Sequence, residues 1–316
     1  MNQPVQGLVV REQSGFFTVE VADGRLYTCR LRGRLLEDAQ SSDIAAIGDQ
    51  VNISTADDGT GAIEAVLPRK SALSRAVRTT GVRGAGQAER EQVIIANADQ
   101  AIFVFAATQP TPNFKLLDRF LVAGEASDIE HLIIVVNKID LESQDIVTKR
   151  FEPYVKMGYP ILYTSAILEQ GVMDLRDLLK DRISVFTGPS GVGKSSLLNQ
   201  IQPDLGRAVK AVSANSGEGI HTTRDSALIK LENGGYIADT PGIRSLTVWD
   251  VEPDELDAYF VDIAAHLHEC RFADCTHTNE PRCGVRAAVE AGAISEHRYR
   301  NYLDLREELK ETYVVY

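Results

Sequence analysis

Over positions 1–70 apolar and polar residues alternate in short runs, at 7–10, 16–21, 25–31, 50–54 and 61–66. Turn-forming triplets, Ala22-Asp23-Gly24 and Asp57-Asp58-Gly59, separate some of them. Five short segments of period two in so short a stretch predict a small closed barrel of the OB type. Residues 71–92 show no period and are rich in Arg, Gly and Thr, so they read as a connection between domains. From Asp99 the pattern changes. Apolar strands at 101–107, 132–136, 161–164 and 183–187 alternate with helical patterns, such as Phe114, Leu117, Phe120 and Leu121, and with 171–182. That alternation predicts a parallel sheet covered by helices. Beyond Pro253 the pattern is mainly helical and is interrupted by a cysteine cluster. The expected fold is therefore multidomain: an OB-like β-barrel over 1–70, a linker over 71–92, an α/β domain over 93–245 and a mainly α domain over 246–316.

The longest apolar runs, 101–107 and 132–136, are far shorter than the ~18–20 residues that span a bilayer. The first residues lack the basic head and apolar core of a secretory signal. A cytoplasmic protein with no membrane partner is expected, and nothing in the sequence asks for more than a monomer.

The chemistry begins at Gly188-Pro189-Ser190-Gly191-Val192-Gly193-Lys194-Ser195, followed by Ser196, which fits the phosphate-loop pattern G-x-x-x-x-G-K-[ST]. An apolar strand pattern precedes it and a helical one follows, as the motif requires. The glycines let successive backbone N–H groups point at phosphate oxygens, and the helix N-terminus adds a favourable field. Lys194 would reach the β- and γ-phosphates and Ser195 would offer its hydroxyl to Mg²⁺.

Asn137-Lys138-Ile139-Asp140 directly follows the strand pattern at 132–136 and resembles the N-K-x-D guanine-specificity motif of translation-factor-like GTPases. A carboxylate at Asp140 can accept both the ring N1–H and the exocyclic amine of guanine, whereas adenine offers no such donor pair. Ser165-Ala166, at the end of the next strand pattern, resembles the companion loop that buttresses the base. Asp239-Thr240-Pro241-Gly242 lies 45 residues after Lys194 and matches D-x-x-G, in which Asp239 would orient Mg²⁺ through water and Gly242 would sense the γ-phosphate. Between them, Gly219-Ile220-His221-Thr222-Thr223 carries a threonine for Mg²⁺, with Thr223 preferred and Thr222 left open.

The order is unusual. N-K-x-D and S-A precede the phosphate loop, and the threonines and D-x-x-G follow it, so the GTPase domain is circularly permuted; permutation is tolerated where chain ends lie close together at the surface. The D-x-x-G switch consequently runs straight into the C-terminal domain. Many GTPases place a Gln after D-x-x-G to orient the attacking water; here that position is Ile243. Unaided hydrolysis should be slow, and His221 or a group from a partner would complete it.

Cys270-x4-Cys275-x-His277-x5-Cys283 supplies three thiolates and an imidazole, a closed tetrahedral set for a structural Zn²⁺. The fourth cysteine, Cys29, stands apart. The whole chain carries a formal charge of −12, and residues 246–316, with 7 basic against 15 acidic residues, carry −8 of it. A general polyanion binder is excluded, so any nucleic-acid contact needs a local basic patch. Arg30, Arg32 and Arg34 alternate, and if the strand continues through Gly33 they share one face with Arg25, Arg69 and Lys70 nearby; the bland reading is a solvated strand face. OB barrels commonly bind RNA through such faces.

Barrel, permuted motif order and cysteine tail together resemble the RsgA/YjeQ family, the bacterial small-ribosomal-subunit-dependent GTPases. The resemblance covers nearly the whole chain and rests most on Gly219-x-His221-Thr222-Thr223, Asp239–Gly242 and the zinc ligands. It implies late maturation of the 30S subunit, 16S rRNA binding, GTP hydrolysis to GDP stimulated by that subunit, and one bound zinc ion. Two alternatives remain: a nucleotide-gated RNA- or ribosome-binding module with incidental turnover, and a large-subunit assembly GTPase. The acidic C-terminal domain departs from expectation, and ribosome contact there would fall to arginines such as Arg271, Arg282 and Arg286.

Overall fold

The computed structural model describes residues 4–37, 43–78, 89–214, 226–239 and 251–312. The N-terminal strands are β1 (Val5–Gln13), β2 (Phe16–Val21), β3 (Leu26–Leu31), β4 (Gln50–Thr55) and β5 (Thr60–Val66), with a short helix α1 (Gly33–Glu37) after β3. They pair in the order β1-β2-β3-β5-β4, and β4 returns to β1, so the sheet closes into a barrel. Only β3 and β5 run parallel. The alternation in sequence is the reason: Phe17, Val19 and Val21 point inward with Tyr27, Cys29, Val51, Ile53 and Ile63, while Phe16 is exposed.

The stretch 71–92 differs from its reading as an aperiodic connection. It supplies β6 (Ala72–Arg78) and the start of β7 (Glu89–Ala96), which pair antiparallel. A shift in their register between Leu73 and Ser74 breaks the simple alternation that would have announced a strand.

The central strands are β8 (Gln100–Ala106), β9 (His131–Asn137), β10 (Ile161–Tyr163), β11 (Ile183–Thr187), β12 (Ser226–Lys230) and β13 (Tyr236–Asp239). The order β10-β9-β8-β11-β13-β12 is parallel except for β12, and β12 pairs with β1, which joins this sheet to the barrel. Strand β8 shows why it lies at the centre: Ala101, Phe103 and Phe105 enter one core, and Ile102, Val104 and Ala106 the other, so both faces are covered. Helices α2 (Phe114–Glu125) and α3 (Gln144–Lys156) contribute to the first core, and α4 (Val172–Leu178), α5 (Lys194–Ile201) and α6 (Leu205–Ala214) to the second. The helical pattern expected over 171–182 is confined to α4.

The C-terminal segment holds α7 (Val261–Ala264), α8 (Gly284–Glu290) and α9 (Glu296–Thr312) around a core that includes Phe260, Ile263, Val285, Tyr302 and Leu305. Among the described residues no helix is long and apolar enough to cross a membrane.

Candidate functional site

Four of the motifs lie at the carboxyl ends of neighbouring parallel strands, where ligands of open α/β sheets bind. Asn137–Asp140 closes β9, Ser165 and Ala166 follow β10, the phosphate loop runs from β11 into α5, and Asp239 ends β13. Three glycines of the phosphate loop have positive φ, and at two of them a side chain also has no room. Gly188 has φ +153°, and a Cβ there would lie 2.1 Å from the Val104 carbonyl oxygen; Gly193 has φ +94°, and its Cβ would lie 2.4 Å from Asn137 Nδ2. Neither position accepts a side chain. The Lys194 ammonium donates to the carbonyls of Gly188 and Pro189, at 2.6 Å each. That geometry keeps it folded over the loop whose phosphates it would meet.

Asn137 is 1% exposed and ties three motifs together. Its Nδ2 donates to the Val192 carbonyl at 2.9 Å, and its Oδ1 accepts from the Thr164 hydroxyl at 3.2 Å and the Ala166 N–H at 3.3 Å. Asp140 is exposed, and the Ser165 hydroxyl donates to its Oδ1 at 2.5 Å, which fixes the carboxylate that would read the base. Ser165 in turn bridges to Gln170, and Gln200 of α5 donates to the Ala166 carbonyl at 3.0 Å. Lys138, at φ 63°, reaches the Gln109 carbonyl. Pro110, beside Gln109, lies 3.8 Å from where a Cβ of Gly191 would be.

The loop after β8 was therefore missed from sequence. Its signal was the proline-rich run Gln109-Pro110-Thr111-Pro112 at a strand end. His221, Thr222, Thr223, Gly242 and Ile243 lie outside the described residues, as does the side chain of Asp239.

The second cluster is Cys270, Cys275, His277 and Cys283, whose ligand atoms all lie within 4.8 Å of one another. Cys270 Sγ is 3.9 Å from Cys283 Sγ and 3.6 Å from His277 Nδ1, and that nitrogen is 3.3 Å from Cys283 Sγ. A tetrahedron with Zn–S bonds of ~2.3 Å has edges of about 3.8 Å, so the donor set fits zinc. Two further features suit a metal. His277 Nε2 lies 2.9 Å from Asp257 Oδ2, which orients the ring with Nδ1 toward the thiols. The backbone N–H groups of Gly284 and Arg286 donate to Cys270 and Cys283 sulfurs, at 3.3 and 3.4 Å. Without a cation, burial pushes the Cys275 thiol up to about 12, so a divalent ion would be needed to hold it as thiolate. Cys29 is fully buried in the barrel, where burial pushes its thiol to about 11, and it joins neither site.

The arginine triplet does not share a strand face. Strand β3 ends at Leu31, Arg32 lies outside it and Arg34 is in α1. Glycine at 33 breaks the strand, and Glu64 gathers the two: Arg32 Nε donates to its carboxylate at 2.8 Å and Arg34 to its carbonyl at 2.9 Å. Arg69 is held by buried Asp49 at 2.8 Å and Arg25 by Asp23, so neither adds a free cation to that face. Arg30 alone remains on β3, lying over the exposed Phe16 ring at 4.3 Å from its centroid.

Comparisons with known proteins agree with this geometry. Residues 66–249 match the RsgA GTPase family model, and residues 6–63 match the RsgA N-terminal domain model. The chain is 40% identical over 311 residues to the small ribosomal subunit biogenesis GTPase RsgA of Gemmatimonas aurantiaca, covering 98% of this chain and 99% of that one. It is 42% identical over 299 residues to the protein of the same name from Moorella thermoacetica, covering 95% of each. The crystal structure of YjeQ from Thermotoga maritima superposes with a TM-score of 0.74 at 36% identity, covering 97% of this chain and 98% of that one. YloQ, described as a circularly permuted GTPase, gives 0.74 at 32% identity, covering 99% of this chain and 97% of that one.

Proposed function

The chain belongs to the RsgA GTPase family, and from that membership we propose that it hydrolyses GTP to GDP and phosphate while assisting late assembly of the small ribosomal subunit in the cytoplasm. The observation that carries the reading is the gathering of the phosphate loop, Asn137–Asp140 and Ser165-Ala166 at one edge of one sheet, cross-braced by Asn137. Guanine would be read by Asp140, with Ser165 and Ala166 beside it and Lys138 along the loop. The phosphates would lie on the backbone of 188–196, and the Lys194 ammonium would exchange two carbonyls for phosphate oxygens. Mg²⁺ held with the nucleotide would supply positive charge against the negative charge of the phosphates. Ser195, Thr223 and, through water, Asp239 are the residues that would hold it.

Ile243 cannot orient a water, so the basal rate is expected to be slow. His221 or a group on the subunit would position the attacking water. The zinc would be structural, because four protein ligands leave no open position for substrate. Binding of 16S rRNA would fall to the barrel, with Arg30 exposed on β3 and, after the strand, Arg32 and Arg34, which are both paired with Glu64. A nucleotide-gated binding module is the reading that Ile243 keeps in view.

The direct test is turnover of GTP against ATP by the purified protein, with Lys194→Ala as the control. GTP-selective turnover lost in the variant is expected. Turnover that persists in the variant, or that prefers ATP, would overturn the assignment.

A further inference from the structure

Helix α2 is buried by two different cores. Leu117, Phe120, Leu121 and Ala123 pack beneath the parallel sheet, whereas Val122 belongs to the core of the C-terminal segment. Residues 115, 118, 119 and 122 fall on one helical stripe, and all four meet that segment. Lys115 pairs with Asp304 at 2.9 Å and Arg119 with Glu308.

Between the exposed Lys115–Asp304 pair and the half-buried Arg119–Glu308 pair lies a buried one. Asp118, 1% exposed, accepts from Tyr154 of α3 at 2.7 Å, from Arg298 at 2.5 Å and from Asn301 at 2.5 Å. Arg298 also donates to Asp262 at 3.1 Å and lies 4.5 Å over the Phe260 ring. A buried ion pair adds little stability over an apolar pair of the same volume, but here Asp118 and Arg298, with Tyr154, Asn301 and Asp262, tie α2, α3 and α9 together through directional bonds.

Each helix of this contact continues to a site. The chain entering α2 passes through Gln109 and Pro110, which touch Lys138 and flank Gly191. The helix that carries Arg298 and Asn301 also carries Tyr299 and Tyr302, whose hydroxyls donate to the carbonyls of His277 and Thr276 in the metal loop.

We propose that α2 and α9, keyed together by Asp118 and Arg298, couple the guanine site to the zinc-binding segment by a route separate from the covalent path through residues 240–250. Nucleotide that fixes Lys138 fixes the loop before α2; α2 then holds α9, and α9 holds the metal loop. By linkage, the C-terminal segment returns the same effect on nucleotide affinity. The proposal rests on the guanine-binding reading above.

Hydrogen exchange of the full-length, zinc-loaded protein with and without GDP tests it. In the unaltered chain GDP should slow exchange along α9 by about fivefold or more, alongside 137–140 and 188–195. In the double variant Asp118→Leu/Arg298→Met, which replaces the charges by apolar groups, GDP should still protect 137–140 and 188–195 but leave α9 unaffected. Asp118→Asn, which keeps the shape without the charge, should give an intermediate response and serves if the double variant does not fold. Protection of the nucleotide loops without any change along α9 in the unaltered chain overturns the coupling alone. So does a full α9 response in either variant. Absence of protection at 188–195 overturns the guanine reading together with the coupling.

Discussion

Replacing Asn137 by alanine removes one amide that serves three motifs. The Val192 carbonyl, the Ala166 N–H and the Thr164 hydroxyl each lose a partner, at 2.9, 3.3 and 3.2 Å. A buried polar group left without a partner costs about 1–3 kcal/mol, and the two longer bonds belong at the low end, so the sum is about 3–5 kcal/mol. At roughly 2–4 °C per kcal/mol for a unit of this size, the melting temperature should fall by about 6–20 °C. The loss should also reach the ligand, because the phosphate loop, the base-reading loop and the S-A loop would no longer be held in register before nucleotide arrives. Nucleotide would then have to order them itself, and GDP affinity should drop by about tenfold or more. Asn137→Asp should be worse than alanine, since a carboxylate oxygen would face the Val192 carbonyl where an N–H now points. Calorimetric melting and titration with a fluorescent GDP analogue measure both effects. A melting temperature within about 1 °C of the unaltered protein, with affinity preserved, would refute the bracing role and with it the reasoning from buried partners.

Asp140→Asn should weaken GDP by about 100-fold or more and favour xanthosine diphosphate, whose exocyclic C2 carbonyl oxygen replaces the guanine amine; competition between the two nucleotides measures it. Gly188→Ala should abolish nucleotide binding or folding, because the added carbon meets backbone 2.1 Å away, whereas Gly24→Ala, in open space at φ +82°, should bind GDP normally. Elemental analysis should find one zinc per chain, and Asp257→Asn should lower zinc affinity by about 10–100-fold in chelator competition without touching a ligand.

The motifs were legible because each depends on residue types at fixed spacing, and the strands ending at Asn137 and Thr187 announced where they would stand. Both barrel and parallel sheet followed from periodicity: two in β2 and β3, and unbroken apolar runs in β8 and β9. Three features were not legible. The β6–β7 pair has a register shift that hides its alternation. The fate of Arg32 and Arg34 depended on Glu64, 30 or more residues away in sequence, and on where glycine would end a strand. Asp118 and Arg298 are 180 positions apart, and each reads locally as a surface charge on an amphipathic helix. Only the packing of α9 on α2 turns them into a buried pair.

The central claim, a GTPase that acts on the small ribosomal subunit, is tested most directly by turnover of the purified protein alone and then with isolated 30S or 50S subunits. A slow basal rate that rises many-fold with 30S and stays unchanged with 50S is expected. Tight GTP binding with no stimulation by either subunit, or stimulation by 50S instead, would contradict it.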